Sequence, residues 1–319
     1  MKIDKSAVSP YNFSIPTYYY DSARQAMFDL LYNMKIEGLV DTVLLPGYIG
    51  ISPKEGSGIF DPIYKLSVEI DYYKMNSNLL IDFDDLKMLT ESYEKKKIAV
   101  LIVNYFGFID INIKHIAEYL KQKGCWIIED NAHGFFTFHN YCNTLNFSDA
   151  TFFSLHKMLP FSQGGSVMIS NQQLRNMKYR GDDLSITKYN PFNYDLKKIA
   201  NKRVNNYRSL LSEIKKIDYS MYFSLLKPNL GKEVVPQTFP IVIKKGNRDE
   251  IYRLMNEKGY GVVSLYHSMI EPLCILKHDA ALKLSKSILN LPIHQDVEVK
   301  FYKEMIVLLI QCCELTENL

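Results

Sequence analysis

The sequence predicts an α/β protein: a large domain over residues 1–195, built on a mostly parallel central sheet flanked by helices, and a smaller α+β domain over residues 196–319. Three observations predict it. The runs VLLP (43–46), IAVLIVN (98–104), CWIIED (125–130), ATFFS (150–154) and SVMIS (166–170) are continuously apolar yet too short for buried helices, so they read as strands covered on both faces. Between the second and third, INIKHIAEYLKQKG sets Ile113, Ile116, Ala117 and Leu120 on one face and ends in Gly124, giving a strand, helix, strand unit. From about residue 195 the pattern changes to a long polar helix, DLKKIANKRVNNYRSLLSEIKK, followed by a strand-like FPIVIKKG.

Taken in order, the first element is a helix over about 22–34. Ala23, Ala26, Met27, Leu30, Leu31 and Met34 recur at helical spacing, and the polar pair Asp21 and Ser22 stands where a cap is needed. The five strands follow, and Lys95 to Lys97 read as a solvated turn. In the C-terminal domain the pattern gives a helix over RDEIYRLMNEKG, a short strand near VVSLY, a helix near DAALKLSKS and a closing helix from about 297 to 313.

Composition narrows the function classes. With 47% hydrophobic residues the chain can bury a sizeable core, and 38 basic against 35 acidic residues are too even a balance to predict nucleic acid or an anionic membrane as a partner. Five cysteines (Cys125, Cys142, Cys274, Cys312 and Cys313), without CxxC spacing, point to neither a disulfide framework nor a zinc site, and fit a reducing cytoplasm. MKIDKSAVSP lacks a signal-peptide core, and no apolar run reaches the roughly 18 to 20 residues that span a bilayer, so a soluble cytoplasmic protein is expected.

Chemistry concentrates at two strand ends. Asp130 closes the run Trp126, Ile127, Ile128, and Lys157 lies just beyond ATFFS, at the edge where open α/β sheets place ligands. A carboxylate and an amine at neighbouring strand ends suit pyridoxal phosphate: the lysine bonds the aldehyde, and the carboxylate keeps the ring nitrogen protonated. Taken singly, each has an ordinary structural reading as well, a strand-end cap and a solvated loop charge.

The surroundings of these residues resemble the DegT/DnrJ/EryC1/StrS family of sugar aminotransferases, pyridoxal-phosphate enzymes of fold type I. LIVNYFGFIDINIKHIAEYLKQKGCWIIEDNAHGFF looks like the family's stretch from an HxxG-like turn to EDxAQxxG, with Asn104 in the histidine place and His133 in the glutamine place. FFSLHKMLPFSQGGSVMIS resembles the FSFxxxK loop and glycine pair, although Ser154 and Lys157 are three apart where five is commoner, as in a divergent branch. YYYDSARQAMFDLL resembles the segment usually written SGTAAL. RDEIYRLMNEKGYGVVSLYH and ILNLPIHQDV resemble the C-terminal domain.

The resemblance implies Lys157 as the Schiff-base lysine, Asp130 as the partner of the pyridine nitrogen and His133 near the ring hydroxyl. Ser22, Ala23 and Arg24 match the phosphate-binding turn, where a helix N-terminus offers N–H groups to an anion. Arg24 either pairs with that phosphate or is a surface arginine. Ala23 replaces a glycine, which requires an ordinary backbone angle there. Ser154 offers a further hydroxyl. Tyr48, after LLPG, either stacks on the cofactor or packs in the core. His156 either acts on substrate or is structural, pointing away from Lys157 on an extended loop, and a one-residue shift of that loop would exchange the two. His267 and His294 read as structural histidines. Asn193, in a shortened YNPFNYD, is the nearest counterpart of the family's crossover asparagine.

The activity implied is transamination from an amino donor, with glutamate expected, to a nucleotide-linked keto sugar. The implied assembly is a homodimer, and the implied setting is cell-surface polysaccharide or related sugar biosynthesis. Two rivals stand beside it: a pyridoxal-phosphate sugar dehydratase or other pyridoxal-phosphate enzyme acting on a different amine substrate, and a ligand-binding or regulatory family member without turnover.

Overall fold

The computed structural model describes residues 15–93, 95–141, 147–276 and 278–317. The leader reading on residues 1–10 and Cys142 lie outside them. In chain order the strands are β1 (Thr17–Tyr20), β2 (Thr42–Pro46), β3 (Gly50–Ile51), β4 (Glu69–Tyr73), β5 (Ile98–Val103), β6 (Trp126–Asp130), β7 (Ala150–Ser154), β8 (Gly165–Ile169), β9 (Phe223–Leu225), β10 (Phe239–Ile243), β11 (Ser268–Met269) and β12 (Ile288–Leu291). The helices are α1 (Ala23–Ile36), α2 (Phe60–Tyr64), α3 (Phe83–Ser92), α4 (Ile113–Gln122), α5 (Phe135–Tyr141), α6 (Gln172–Arg175), α7 (Leu196–Ile214), α8 (Arg248–Glu257), α9 (Glu271–Ile275), α10 (Asp279–Ser287) and α11 (Tyr302–Leu315).

Seven strands form the central sheet in the order β1-β8-β7-β6-β5-β2-β4. All pairings from β7 to β4 are parallel, whereas β8 runs antiparallel to both of its neighbours. The strands β2, β7 and β8 are buried at every position, as their unbroken apolar runs require. Register aligns Val103 with Asp130 and Asp130 with Phe152, so β5 and β6 end at one level and β7 runs two residues further, to Ser154.

Helix α1 starts where expected: Ser22 is extended (φ −154°) and its side chain accepts from the Gln25 N–H, while Met27, Leu30, Leu31 and Met34 are buried. In α4 the predicted stripe of Ile113, Ile116, Ala117 and Leu120 is the buried face. Each such aliphatic contributes about 1.5–3 kcal/mol by leaving water. Two strands of the central sheet escaped the sequence reading. β4 mixes charge with tyrosine, and β1 is an edge strand of one threonine and three tyrosines, half covered at Thr17 and Tyr18 and buried at Tyr19 and Tyr20, so neither shows an aliphatic run.

C-terminal to α7, a three-stranded antiparallel sheet β12-β10-β9 carries α8, α10 and α11. The strand expected near VVSLY is absent; Val263 makes an isolated bridge with Asn290, and the strand is the shorter β11, which pairs with β3 near the central sheet. The closing helix begins at Tyr302, after a 3-10 turn over Val299–Phe301, later than its apolar pattern suggested. One continuous apolar core joins residues of both sheets, from Leu44 and Ile128 to Phe239 and Leu289. Among the described residues no helix is long and apolar enough to cross a membrane.

Candidate active site

The C-terminal ends of β6 and β7, the N-terminus of β8 and the chain leaving β1 meet at one edge of the sheet, and this is where the polar residues gather. Asp130 ends β6, buried. Its Oδ1 accepts from the Ala132 N–H at 2.8 Å, and Oδ2 makes no hydrogen bond among the described residues. Burial holds its carboxyl above the usual range, opposed by that N–H and by Lys157.

Lys157 arrives by a different route from the one the sequence implied. The residues after β7 form a 3-10 turn, Leu155–Lys157, not an extended loop. With three residues per turn, positions 154 and 157 eclipse, so the short spacing still brings the lysine over the strand end. Its Nζ lies 3.1 Å from His133 Nε2. Burial pushes the amine below the ordinary lysine range, while the Asp130 charge pulls it back. The one-residue exchange is ruled out by the same geometry: His156 is exposed, with Nδ1 3.3 Å from Ser154 Oγ.

His133 is buried, its ring stacked on Phe106 with centroids 6.0 Å apart, and the Phe106 N–H donates to its Nδ1 at 3.3 Å. Burial first and the Lys157 charge second hold its pKa well below the usual value. Asn104, also buried, spends its amide on Glu129 Oε1 (2.6 Å) and Asn131 Oδ1 (2.8 Å), bracing the end of β6 and not the lysine.

At the N-terminus of α1, Ser22 Oγ takes the Gln25 N–H, and the first intrahelical bond runs from Ala26 N to Ser22 O at 3.3 Å. The Ala23 and Arg24 N–H groups therefore have no acceptor among the described residues, which is the arrangement that binds anions. Gly165 makes this approach possible: a Cβ on it would lie 2.1 Å from Ala23 N. Arg24 turns to the loop after β3, with Nη1 2.5 Å from Glu55 O and Nη2 3.4 Å from Glu55 Oε2. It stays close enough for its charge to act on Lys157. A cavity of about 770 Å³ opens on the outer side of α1, lined by Tyr20, Asp21, Arg24, Phe28, Arg180 and Lys188 among others, and neither Lys157 nor Asp130 lines it.

Other expected residues fall elsewhere. Tyr48 is a core residue, fully buried, its hydroxyl donating to Leu265 O (2.8 Å) and accepting from Tyr266 N (2.9 Å). Stacking on a bound ring is thereby corrected to packing, since Tyr105 and Tyr266 already lie against it. Asn193 is exposed in a 3-10 turn, Pro191–Asn193, and makes no contact with Lys157, Asp130 or His133. His294 pairs with Asp296 (3.1 Å) and His267 lies 3.6 Å from Asp249.

Tyr266 was missed. It reaches in from the C-terminal half and packs where a Cβ on Gly50 would come within 2.0 Å of its ring, and Asp130 raises its hydroxyl pKa further beyond the effect of burial. A tyrosine among 23 gives no sequence signal of that kind. Glu55, in the exposed SPKEGSG loop, gave none either.

The residues present fit pyridoxal phosphate. A buried amine of lowered basicity, a buried carboxylate with one oxygen open, and a helix N-terminus with two free N–H groups match its aldehyde, ring nitrogen and phosphate. Comparison with known proteins agrees. Residues 74–188, which include Asp130, His133 and Lys157, match the model of the DegT/DnrJ/EryC1/StrS aminotransferase family. None of the curated proteins matches the sequence.

Solved structures similar to the chain include Helicobacter pylori PseC, an aminotransferase involved in the biosynthesis of pseudoaminic acid. It is 15% identical, with 94% of this chain and 87% of that one covered and a TM-score of 0.70. A DegT DnrJ EryC1 StrS aminotransferase from Brucella abortus is 14% identical, with 93% and 86% covered and a TM-score of 0.71. The putative sugar aminotransferase Spr1654 from Streptococcus pneumoniae, in its PLP form, is 13% identical, with 93% and 87% covered and a TM-score of 0.67. At these identities the structures speak for the fold, which is the expected aminotransferase α/β fold. The family match adds the enzyme class, a pyridoxal-phosphate-dependent aminotransferase.

Proposed function

We propose that this chain, whose residues 74–188 carry the DegT/DnrJ/EryC1/StrS aminotransferase match, transfers an amino group from a donor such as glutamate to a nucleotide-linked keto sugar. It would do so as a cytoplasmic homodimer serving cell-surface polysaccharide or related sugar biosynthesis. The convergence of Lys157, Asp130 and His133 at the strand ends carries the reading.

Bound pyridoxal phosphate supplies an aldehyde to take up the amino group and a ring that withdraws electrons from the reacting carbon. The protein's part follows from its own groups. Lys157 Nζ, its basicity lowered by burial, would hold the aldehyde end of the group and would be the base that takes a proton from the substrate carbon bearing the nitrogen. Asp130, whose Oδ1 is taken by the Ala132 N–H, would hold the ring N–H with its other oxygen. The Ala23 and Arg24 N–H groups bind the phosphate. The cavity beside α1 is within the range of ligand-sized pockets, but its cations Arg24, Lys65, Arg180 and Lys188 stand against the carboxylates Asp21, Asp29, Asp61 and Asp182, so its charge selects no acceptor.

The test is to add pyridoxal phosphate, reduce with borohydride and map the adduct by mass spectrometry. A stable adduct on Lys157, absent from Lys157→Ala, is expected, followed by 2-oxoglutarate release from glutamate when a keto sugar nucleotide is supplied. An adduct elsewhere overturns the role of Lys157. A deoxygenated product without 2-oxoglutarate replaces transamination by dehydration. Sedimentation at micromolar protein checks the dimer.

A further inference from the structure

We propose that His133 is a positioning residue that prepares Lys157 before any cofactor arrives: held by the Phe106 N–H on Nδ1, its ring donates Nε2–H to the lysine Nζ and keeps the amine unprotonated and aimed.

The hydrogens available to each nitrogen fix the protonation of both groups. A backbone N–H can only donate, so its contact with Nδ1 at 3.3 Å requires a bare nitrogen there. A neutral imidazole bare at Nδ1 carries its proton on Nε2. That proton faces Lys157 Nζ at 3.1 Å, and only an unprotonated amine has a lone pair to accept it. An ammonium would need Nε2 bare as well, leaving an imidazolate, a species far from reach for a buried ring.

The turn that delivers the N–H is built for the purpose at a cost. Phe106 is left-handed (φ 58°), unusual for a residue with a side chain, and Gly107 follows at φ 87°. Gly107 cannot carry a Cβ, which would lie 2.8 Å from Val235 O and 3.0 Å from His133 O, so the turn, the histidine backbone and the segment after α7 are locked together. The Phe106 ring, nearly parallel to the imidazole (10°), fixes the plane in which Nε2 points.

The groups facing Lys157 from other elements divide. Asp130 on β6 and Glu55 in the loop after β3 favour its charged form, whereas Arg24 on α1 and burial oppose it. His156, its neighbour in the chain, lies against Ser154. A hydrogen bond donated to the neutral amine sides with burial. For its purpose the inference rests on Lys157 being the cofactor's anchor, since an aldehyde is attacked only by a free amine.

Two measurements on the cofactor-free protein test it. Long-range proton–nitrogen correlation spectra with 15N-labelled imidazole should give His133, assigned by its loss in His133→Gln, the pattern of an Nε2–H neutral ring. An Nδ1–H or doubly protonated pattern overturns the proposal. The rate of Lys157 acylation should be followed against pH by mass spectrometry. His133→Leu is expected to raise its midpoint, slowing labelling at neutral pH about tenfold, the equivalent of one pKa unit. His133→Gln, whose carboxamide can donate without titrating, is expected to restore the wild-type profile. An unchanged profile in His133→Leu, with circular dichroism as in wild type, overturns it. Because these readouts use no cofactor, a missing borohydride adduct would remove the proposed function and leave this result standing, and the reverse outcome would separate them equally.

Discussion

Asp130 and Lys157 attract one another across the site while burial opposes the charge on each, so the protonation of either depends on the other. Asp130→Asn removes the anion that favours ammonium and should move the Lys157 labelling midpoint down, opposite in sign to His133→Leu. The amide also loses a charge-assisted bond to a ring N–H, worth about 1.5–3 kcal/mol, so the cofactor's dissociation constant should rise by roughly 10- to 150-fold in a spectrophotometric titration. Both residues were legible in the sequence because strand-end acid and loop lysine interrupt apolar runs. His133 was legible through its motif, but its partner was not: the Phe106 N–H is a backbone group, and its direction follows from a left-handed angle that no side chain announces.

The elements reach the site by close approach. α1 begins against β8, and Gly165 is the residue that lets it, since a Cβ there would meet Ala23 N at 2.1 Å and Ser22 C at 2.4 Å, both backbone atoms that cannot swing aside. Gly165→Ala should therefore push the first turn of α1 away and cost about 1–3 kcal/mol, as overpacking does. Urea unfolding reads the stability loss. Inorganic phosphate, competing with cofactor in wild type and weakened in the variant, reads the displaced turn. The sequence showed a glycine pair after the lysine and an alanine at the start of the first helix. It did not show that these two features touch, because they lie on separate elements far apart in the chain, brought together by the β1–β8 pairing and the packing of α1 on β8. Likewise the shortening before Lys157 was visible as a count of residues, while its resolution as a 3-10 turn was decided by how β7 ends.

Across the whole molecule, buried neutral histidines govern acid stability. His133 and His139 both have pKa values depressed by burial, the latter to about 3, in a nest of Phe135, Phe138 and Phe153. Unfolded, each binds a proton near the ordinary histidine value of 6.5, so below it the unfolded state holds more protons and stability must fall as pH falls. The expected slope is about 1.4 kcal/mol per pH unit for each ring between 6.5 and about 5, read from urea midpoints in a pH series. Nearer the ordinary carboxylate range Glu129 and Asp130, held above it, bind protons first in the folded state and oppose the trend. A flat profile between 6.5 and about 5 would show that neither ring is kept neutral. By itself the sequence determined the central strands β2, β5, β6, β7 and β8, the helices α1, α4, α7 and α8, and the sheet edge at which Asp130 and Lys157 fall, because hydrophobic periodicity and strand-end position are local properties of a chain. Only the tertiary structure decided that Tyr48 is core, that Tyr266 arrives from the far end of the chain through the space left by Gly50, and that Arg24 turns to Glu55. Those outcomes depend on which distant segments share a volume, and side chains that close-pack across such distances leave no period in the sequence to read.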